Sequence, residues 1–398
     1  MGKLKLKRLG DLINFKRGYD LPASQRRSGP YPVISSAGIT GYHDEYMVDG
    51  AGVVTGRYGT LGEMYYVDGK YWPHNTALYV TTFKGNDPKY IYYLLSCLGR
   101  IRTSDKSAVP GVNRNELHEM AVPVITDKDQ QKKIATVLSA LDAKIDCNQR
   151  INAELEGIAK TLYDYWFVQF DFPDASGKPY KSSGGKMVYN ATLKREIPKG
   201  WNECELGEYI GFKRGISYMS SDIQETGRPL INLNSFSLTG EFKVEGTKYF
   251  NGKFRNENLL NVGDLVVAIT DVTRNADIIG KAFVIADVFN EAPLISCDVA
   301  AVSSSVFGCF YLEQLFNSKA YHNYVKYFAS GTLVLHLDLN GVNWFKTVLP
   351  SRNILSEYEA HCIPLLKQRE IVIKENKQLI QLRDWLLPLL MTGQAKLT

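Results

Sequence analysis

The side chains best suited to chemistry in this chain are donors and acceptors for recognition. Gly56-Arg57-Tyr58-Gly59-Thr60 sets an arginine and an aromatic between two glycines. A tight turn of that kind lets backbone approach a duplex and aims a guanidinium at a phosphate or a guanine edge. A hairpin turn with a solvated arginine is the plainer reading. Asn75 and Thr76 follow the Tyr71-Trp72-Pro73 turn, where Asn75 suits an adenine edge or caps the turn. Thr270, Arg274 and Asn275 close a strand, and Asn232 and Asn234 alternate along another, which would put both on one face. Lys16-Arg17 and Lys213-Arg214 recur in equivalent contexts. They suit phosphate contact, or a structural role in which the aliphatic stems pack and the charged heads face water. Asn113 and Arg114 complete the candidate set.

Catalytic patterns are absent from the sequence. It has no G-x-x-x-x-G-K-[ST] loop, and Gly280-Lys281 lacks both the upstream glycine and the hydroxyl. There is no G-x-G-x-x-G and no N-P-P or D-P-P, the loop an amino-methyltransferase would need. Glu241-Phe242-Lys243 has the local look of a metal-dependent nuclease, but no Pro-Asp lies at a sensible distance upstream. The six histidines are scattered, and the six cysteines form no C-x-x-C, reading as reduced thiols of a cytosolic protein. No catalytic residue and no metal site is expected.

The 398 residues are enough for two or three domains. No apolar run is long enough to span a membrane, and no signal-peptide core follows the first residues, so a cytoplasmic location is expected, in a prokaryote if the resemblance described below holds. The net charge of +5 is uneven: residues 1–126 hold 16 of the 47 Lys/Arg and 11 of the 42 Asp/Glu, leaving 31 of each in the remainder. The excess lies mostly in Lys3–Arg27 and suggests a polyanion near that surface.

These residues must be carried by a repeated framework. LGDLINFKRG at 9–18 returns as LGEYIGFKRG at 206–215, with seven of ten positions identical at an offset of 197. Gly111-Val112-Asn113 before Val122-Pro123 is matched by Gly341-Val342-Asn343 before Leu349-Pro350. Each repeat precedes a long helix. Leu138, Leu141, Ile145, Leu155 and Leu162 step by threes and fours on a seam with Asn148 and Asn152; Leu365, Leu379, Leu382 and Leu386 do likewise with Asn376. Such narrow stripes favour helix pairing over phosphate binding. The expected fold is α+β: two domains, each a twisted sheet with helices, joined by two long helices in an antiparallel intramolecular coiled coil with a pseudo-two-fold repeat. Strands are expected at 53–57, 62–67, 76–82, 264–270, 279–286 and 299–303, and helices at 89–98 and 310–329. The expected organisation is domain 1 over 1–126, helix over 127–170, a flexible Gly/Pro/Ser-rich linker over 171–199, domain 2 over 200–352 and helix over 353–398.

Taken together, LGDLINFKRG at 9–18, GRYGTLGEMYYV at 56–67, HNTALYV at 74–80, the N-x-x-E-L of 113–117, the helix at 138–172, REIPKGW at 195–201 and LIQLRDWLLPLLMTGQ at 379–394 resemble the specificity (S) subunit of type I restriction–modification systems, over essentially the full length. The second repeat departs from the first in its middle, its offset growing from 197 to 227, so the two domains should read different sequences. The resemblance implies two target-recognition domains, each reading half of a bipartite double-stranded DNA site. The helices would act as a ruler: roughly 35 residues span about 50 Å, against about 34 Å for one DNA turn. It also implies two methyltransferase (M) subunits docked on the helices, with restriction (R) subunits reached through them. This chain would hold no cofactor, and S-adenosylmethionine, ATP and Mg²⁺ would belong to the partners. The alternatives are a chain that is itself a catalytic endonuclease or methyltransferase, and a coiled-coil scaffold unrelated to DNA.

Overall fold

In the computed structural model, residues 4–57, 63–98, 114–395 and 397 are described. They form two compact units: residues 1–147 with 376–398, and residues 148–375.

The first unit holds two four-stranded sheets. One orders its strands Asn14–Arg17, Ala77–Thr82, Gly52–Gly56, Met64–Val67, all antiparallel. The other orders Gly38–His43, Tyr31–Ser35, Lys70–Pro73, Val48–Asp49, with a parallel pairing of Val33 to Trp72. A two-stranded ladder, Leu4–Arg8 with Ala121–Ile125, closes the unit. The helix Pro88–Cys97 begins on Asp87, whose carboxylate accepts the Tyr90 N–H at 2.9 Å, with proline at its first position. Its Tyr90, Ile91 and Leu94 bury against Leu9, Phe15, Val53 and Leu78.

The second unit repeats this scheme. Its four-stranded sheet runs Ile210–Arg214, Val299–Ser304, Leu265–Ala268, Ala282–Val284, the same relative order. A second sheet again contains one parallel pair, Leu230 to Leu294, and Asn202–Glu205 with Lys346–Leu349 forms the closing ladder. Leu9 N–H donates to Met120 O and Leu206 N–H to Phe345 O, so the first turn of each repeat is tied to its closing segment in the same way. Among the described residues, this unit also holds a three-stranded sheet of Thr270–Asp271, Leu335–Leu337 and Ala329–Ser330.

Two expectations about the globular parts and the linker need correction. The helix expected over 310–329 is two helices, Cys309–Asn317 and Lys319–Val325, followed by a short turn. Ser318 is extended between them, and its hydroxyl accepts the Tyr321 N–H to start the second helix. The expected flexible linker is folded. Phe172 stacks between Tyr180 at 4.7 Å and Trp201 at 5.0 Å, Asp171 accepts the Ser182 N–H and O–H, and Met187–Asn190 pairs with Arg195–Pro198. The aromatics that flank its glycines outweigh the loop-like composition.

The long helices, α1 (Lys128–Tyr163) and α2 (Arg352–Met391), each contribute to both units. Within each unit they run antiparallel. In the first, Arg383 pairs with Asp142 at 3.1 Å and Asn376 donates to Ile145 O at 3.3 Å. In the second, Asn148 donates to Glu375 and Arg369 pairs with Glu156, both at 2.8 Å. The α1 seam follows the expected spacing: Leu138, Ile145 and Asn148 are buried, and Leu141, Leu155 and Leu162 half-buried. On α2 it runs through Tyr358, Cys362, Leu365, Arg369, Val372, Asn376, Leu379, Arg383, Leu386 and Leu390. Leu382 lies off that seam and is 42% exposed, correcting its assignment; the next residue, Arg383, takes the seam position because Asp142 receives it. Polar pairs inside an otherwise apolar seam fix register and direction at some cost in stability.

Candidate nucleic-acid interface

In the first unit the sheet register assembles one edge. Arg17 pairs with Leu78 and Gly56 with Ala77, so Arg17, Arg57, Asn75 and Thr76 converge at the same strand ends. The Arg17 Nε donates to the Asn75 carbonyl at 3.2 Å, and the Asn75 amide donates to Asp20 Oδ1 at 2.5 Å. Arg57 N–H donates to Thr76 O at 2.9 Å, while the Thr76 hydroxyl lies 3.1 Å from His74 Nδ1. Lys16 is exposed on the neighbouring position, its ammonium 5.1 Å above the Tyr19 ring and 3.3 Å from its hydroxyl. The Tyr19 hydroxyl is 3.1 Å from that of Tyr79; this contact, with Lys16 beside it, draws the Tyr19 phenol below its usual range. Burial foremost, then Arg26, depresses His74, leaving it neutral at pH 7. The result is an amide and two cations held by neighbours on an exposed edge, the preorganisation that recognition of a polyanion needs. Arg114 is exposed in the first turn of Arg114–Glu119, a helix anchored by His118 accepting the Phe15 N–H. Tyr58 and Asn113 fall outside the described residues.

In the second unit Lys213 and Arg214 are exposed on the equivalent strand, opposite Ala301 and Ala300. A lysine–tyrosine pair recurs, with the Lys248 ammonium 3.0 Å from the Tyr218 hydroxyl and 5.3 Å from its ring centre. Other candidates separate. Asn234 is exposed, but Asn232 is buried beyond the end of its strand: it caps the turn at 233–235, accepting the Asn234 N–H and donating to Leu230 O and Gly246 O. The two asparagines therefore do not share a strand face, and Asn232 is spent on backbone. Thr270 is likewise buried, donating to Asp298 at 3.1 Å. Arg274 and Asn275 are exposed on a loop organised by Asp271, a fully buried carboxylate that accepts the N–H groups of Thr273, Ile278 and Ile279. The sequence singles out neither Tyr19 nor Asp20, whose only signal is their position directly after a basic turn, and it places Asp271 in the hydrogen-bonding stretch 270–275 without marking its buried role. Among the described residues no group of three or more His, Cys, Asp or Glu is placed to hold a metal ion, and no helix is long and apolar enough to cross a membrane.

A duplicated α+β unit on a shared pair of long helices defines the class of architecture. Residues 1–157 match the family described as "Type I restriction modification DNA specificity domain". Across 330 residues the chain is 25% identical to the type I restriction enzyme MjaIX specificity subunit of Methanocaldococcus jannaschii, covering 77% of this chain and 69% of that one. The HindI specificity subunit of Haemophilus influenzae is 24% identical over 317 residues, 68% of each chain. In fold, the chain is similar to the S subunit of a type I restriction–modification system from M. genitalium, with a TM-score of 0.58 at 17% identity over 100% of this chain and 97% of that one. Both relatives are type I restriction enzyme specificity subunits, and the family match covers the first 157 of the 398 residues.

Proposed function

We propose that this chain is the DNA sequence-recognition subunit of a type I restriction–modification enzyme, each unit reading one half of a bipartite target. The carrying observation is the repeated edge: at the end of the same strand of the same sheet, both units present an exposed Lys-Arg pair followed closely by a tyrosine that contacts a lysine, Lys16 of the pair itself in the first unit and Lys248 of another sheet in the second. In this reading Lys16, Arg17, Arg57, Asn75 and Arg114 face the first half-site, and Lys213, Arg214, Asn234, Arg274 and Asn275 the second. The charged heads position the backbone, and the amides and guanidinia read base edges. Among the candidates, Asn232 and Thr270 support the loops from inside.

In the same reading the chain performs no catalysis. Methylation and cleavage, with their S-adenosylmethionine, ATP and Mg²⁺, belong to two M subunits and to R subunits reached through them, in the cytoplasm. A helix of about 36 residues spans about 54 Å at 1.5 Å per residue, enough to hold two half-sites more than one DNA turn apart. The test is co-expression with the methyltransferase subunit in a methylation-free host, followed by sequencing of modified bases. A bipartite motif with N6-methyladenine in each half is expected. A stable complex that neither modifies DNA nor binds it in a salt-sensitive manner would defeat the proposal and favour a scaffold.

A further inference from the structure

We infer that the edge formed by the turn 331–334 and the loop 272–275 reads thymine methyl groups in the major groove of one half-site, with Leu333 and Val272 as the contacting side chains. The inference rests on the recognition reading above and names, for the second unit, the residues and the base type.

The sheet register brings the two segments together. Asp271 pairs with Leu335 and Thr270 with His336, while Ser330 pairs with His336 across the hairpin. Chain leaving Asp271 into Val272 therefore runs beside chain arriving at Leu335 through Leu333 and Val334. At that edge Leu333 is 87% exposed and Val272 62% exposed, so both apolar side chains are available for contact.

Neither segment is a slack loop that could fold its apolar groups inward. Gly331 has φ 138°, and a Cβ there would lie 2.0 Å from the Val334 carbonyl oxygen. On the other side, Asp271 fixes the loop through three backbone N–H groups at 2.6–2.8 Å, and the Thr273 hydroxyl accepts the Asp277 N–H at 2.8 Å. The apolar side chains are thus held outward by their backbone.

Charge identifies the occupant. From Lys319 to Leu337 there is no carboxylate. The exposed Arg274 stands on the loop, Asp271 is consumed internally, and Asp277 faces Lys326 at 3.9 Å. An apolar tip of a few side chains is small for a stable protein interface, whereas an apolar contact beside the exposed Arg274, with no exposed carboxylate on the hairpin, matches a groove that offers the thymine C5-methyl between two phosphate backbones.

The experiment uses the complex with its methyltransferase subunits and synthetic duplexes of the methylated motif, with deoxyuridine replacing thymine in one half at a time. Wild type is expected to lose affinity by about fourfold per methyl removed, in one half only. Leu333→Ala and Val272→Ala should abolish that sensitivity while melting like wild type, since both side chains are exposed. Equal binding of thymine and uracil duplexes in both halves would overturn the inference, as would full sensitivity in the two variants. Loss of the methyltransferase subunits from Leu333→Ala would overturn it too, by marking the edge as a protein contact. A wild-type complex that binds no DNA would instead bring down the recognition reading itself.

Discussion

Gly18 and Gly215 meet the same constraint 197 residues apart. A Cβ on Gly18 would lie 2.1 Å from the carbonyl oxygen of His74, and one on Gly215 would lie 2.2 Å from those of Ile295 and Ser296. Each glycine stands where the chain leaves its first sheet and makes a parallel bridge to the second, Tyr19 to His74 and Ile216 to Ser296. The repeated F-K-R-G thus combines an inward phenylalanine, two outward cations and a glycine that only a missing side chain permits.

Replacing Gly215 with alanine should destabilise the protein by about 1–3 kcal/mol or more, because the clash is with backbone that cannot rotate away. Gly157 gives the contrast. It lies inside α1 with nothing within 4 Å of a built Cβ, so Gly157→Ala should stabilise by about 0.5–1 kcal/mol. Urea midpoints at constant m-value measure both; a neutral Gly215→Ala would dismiss the close-approach argument.

Arg369, Glu156 and Glu313 form the most demanding polar site of the second unit, lining a cavity of about 420 Å³ with Glu241 and Lys281. Burial foremost pushes the Glu156 carboxyl up to about 9, Arg369 at 2.8 Å pulls the other way, and Glu241 and Glu313 add to the rise. A folded-state value above that of an ordinary carboxyl, about 4.3, means that the folded chain holds a proton the unfolded chain has released. Stability from this group is therefore full below about pH 4.3 and declines as pH rises towards 9. Thermal melts from pH 5 to 9 should show that decline, and Glu156→Gln should flatten it. An unchanged slope would reassign the decline to other groups.

The same site predicts non-additivity. Arg369→Met leaves the carboxyl groups of Glu156 and Glu313 without the guanidinium they share and should cost about 3–5 kcal/mol. Adding Glu156→Gln should recover part of that loss, because the two positions share one interaction. Equal losses in the single and double variants would show that Arg369 acts through packing alone.

The sequence exposed the parts of the fold that depend on local pattern. The α1 seam was legible because Ile134, Leu138, Leu141 and Ile145 repeat without interruption, and the duplication was legible because Leu9, Phe15 and Gly18 meet constraints that recur at Leu206, Phe212 and Gly215. What long-range partners decide was not legible. Leu382 looked like a seam residue, but the seam position belongs to Arg383, which is acceptable there only because Asp142 lies across from it. Asn232 looked like a reader until Gly246, brought back by an intervening loop, claimed its amide. The segment 171–199 looked loose because composition gives no hint that Phe172 and Tyr180 meet Trp201.

Arg57 offers a sharp test of base reading. Its N–H is fixed to Thr76 O, which places it at the Arg17–Asn75 edge. Arg57→Ala in the assembled complex should weaken or relax recognition of one half-site by about 1–3 kcal/mol if the guanidinium reads a guanine edge. Relaxation confined to one base position, by sequencing of methylated sites, is the expected result. Uniform weakening across sequences would make Arg57 a phosphate contact, and wild-type behaviour would make it a turn residue.

The ruler can be tested by a change that respects the helix pairing. A heptad inserted in α1 alone would throw Glu156 out of register with Arg369 while leaving Asn148 opposite Glu375. The informative variant inserts one heptad between Asn148 and Glu156 and a second between Arg369 and Glu375, so that both polar pairs survive. Seven residues add about 10.5 Å of helix, about three base pairs at 3.4 Å each. Sequencing of methylated sites should then return both half-sites unaltered with an unread gap longer by about three base pairs. Changed half-sites with an unchanged gap would mean that the helices position the partner subunits and that the spacing is set elsewhere.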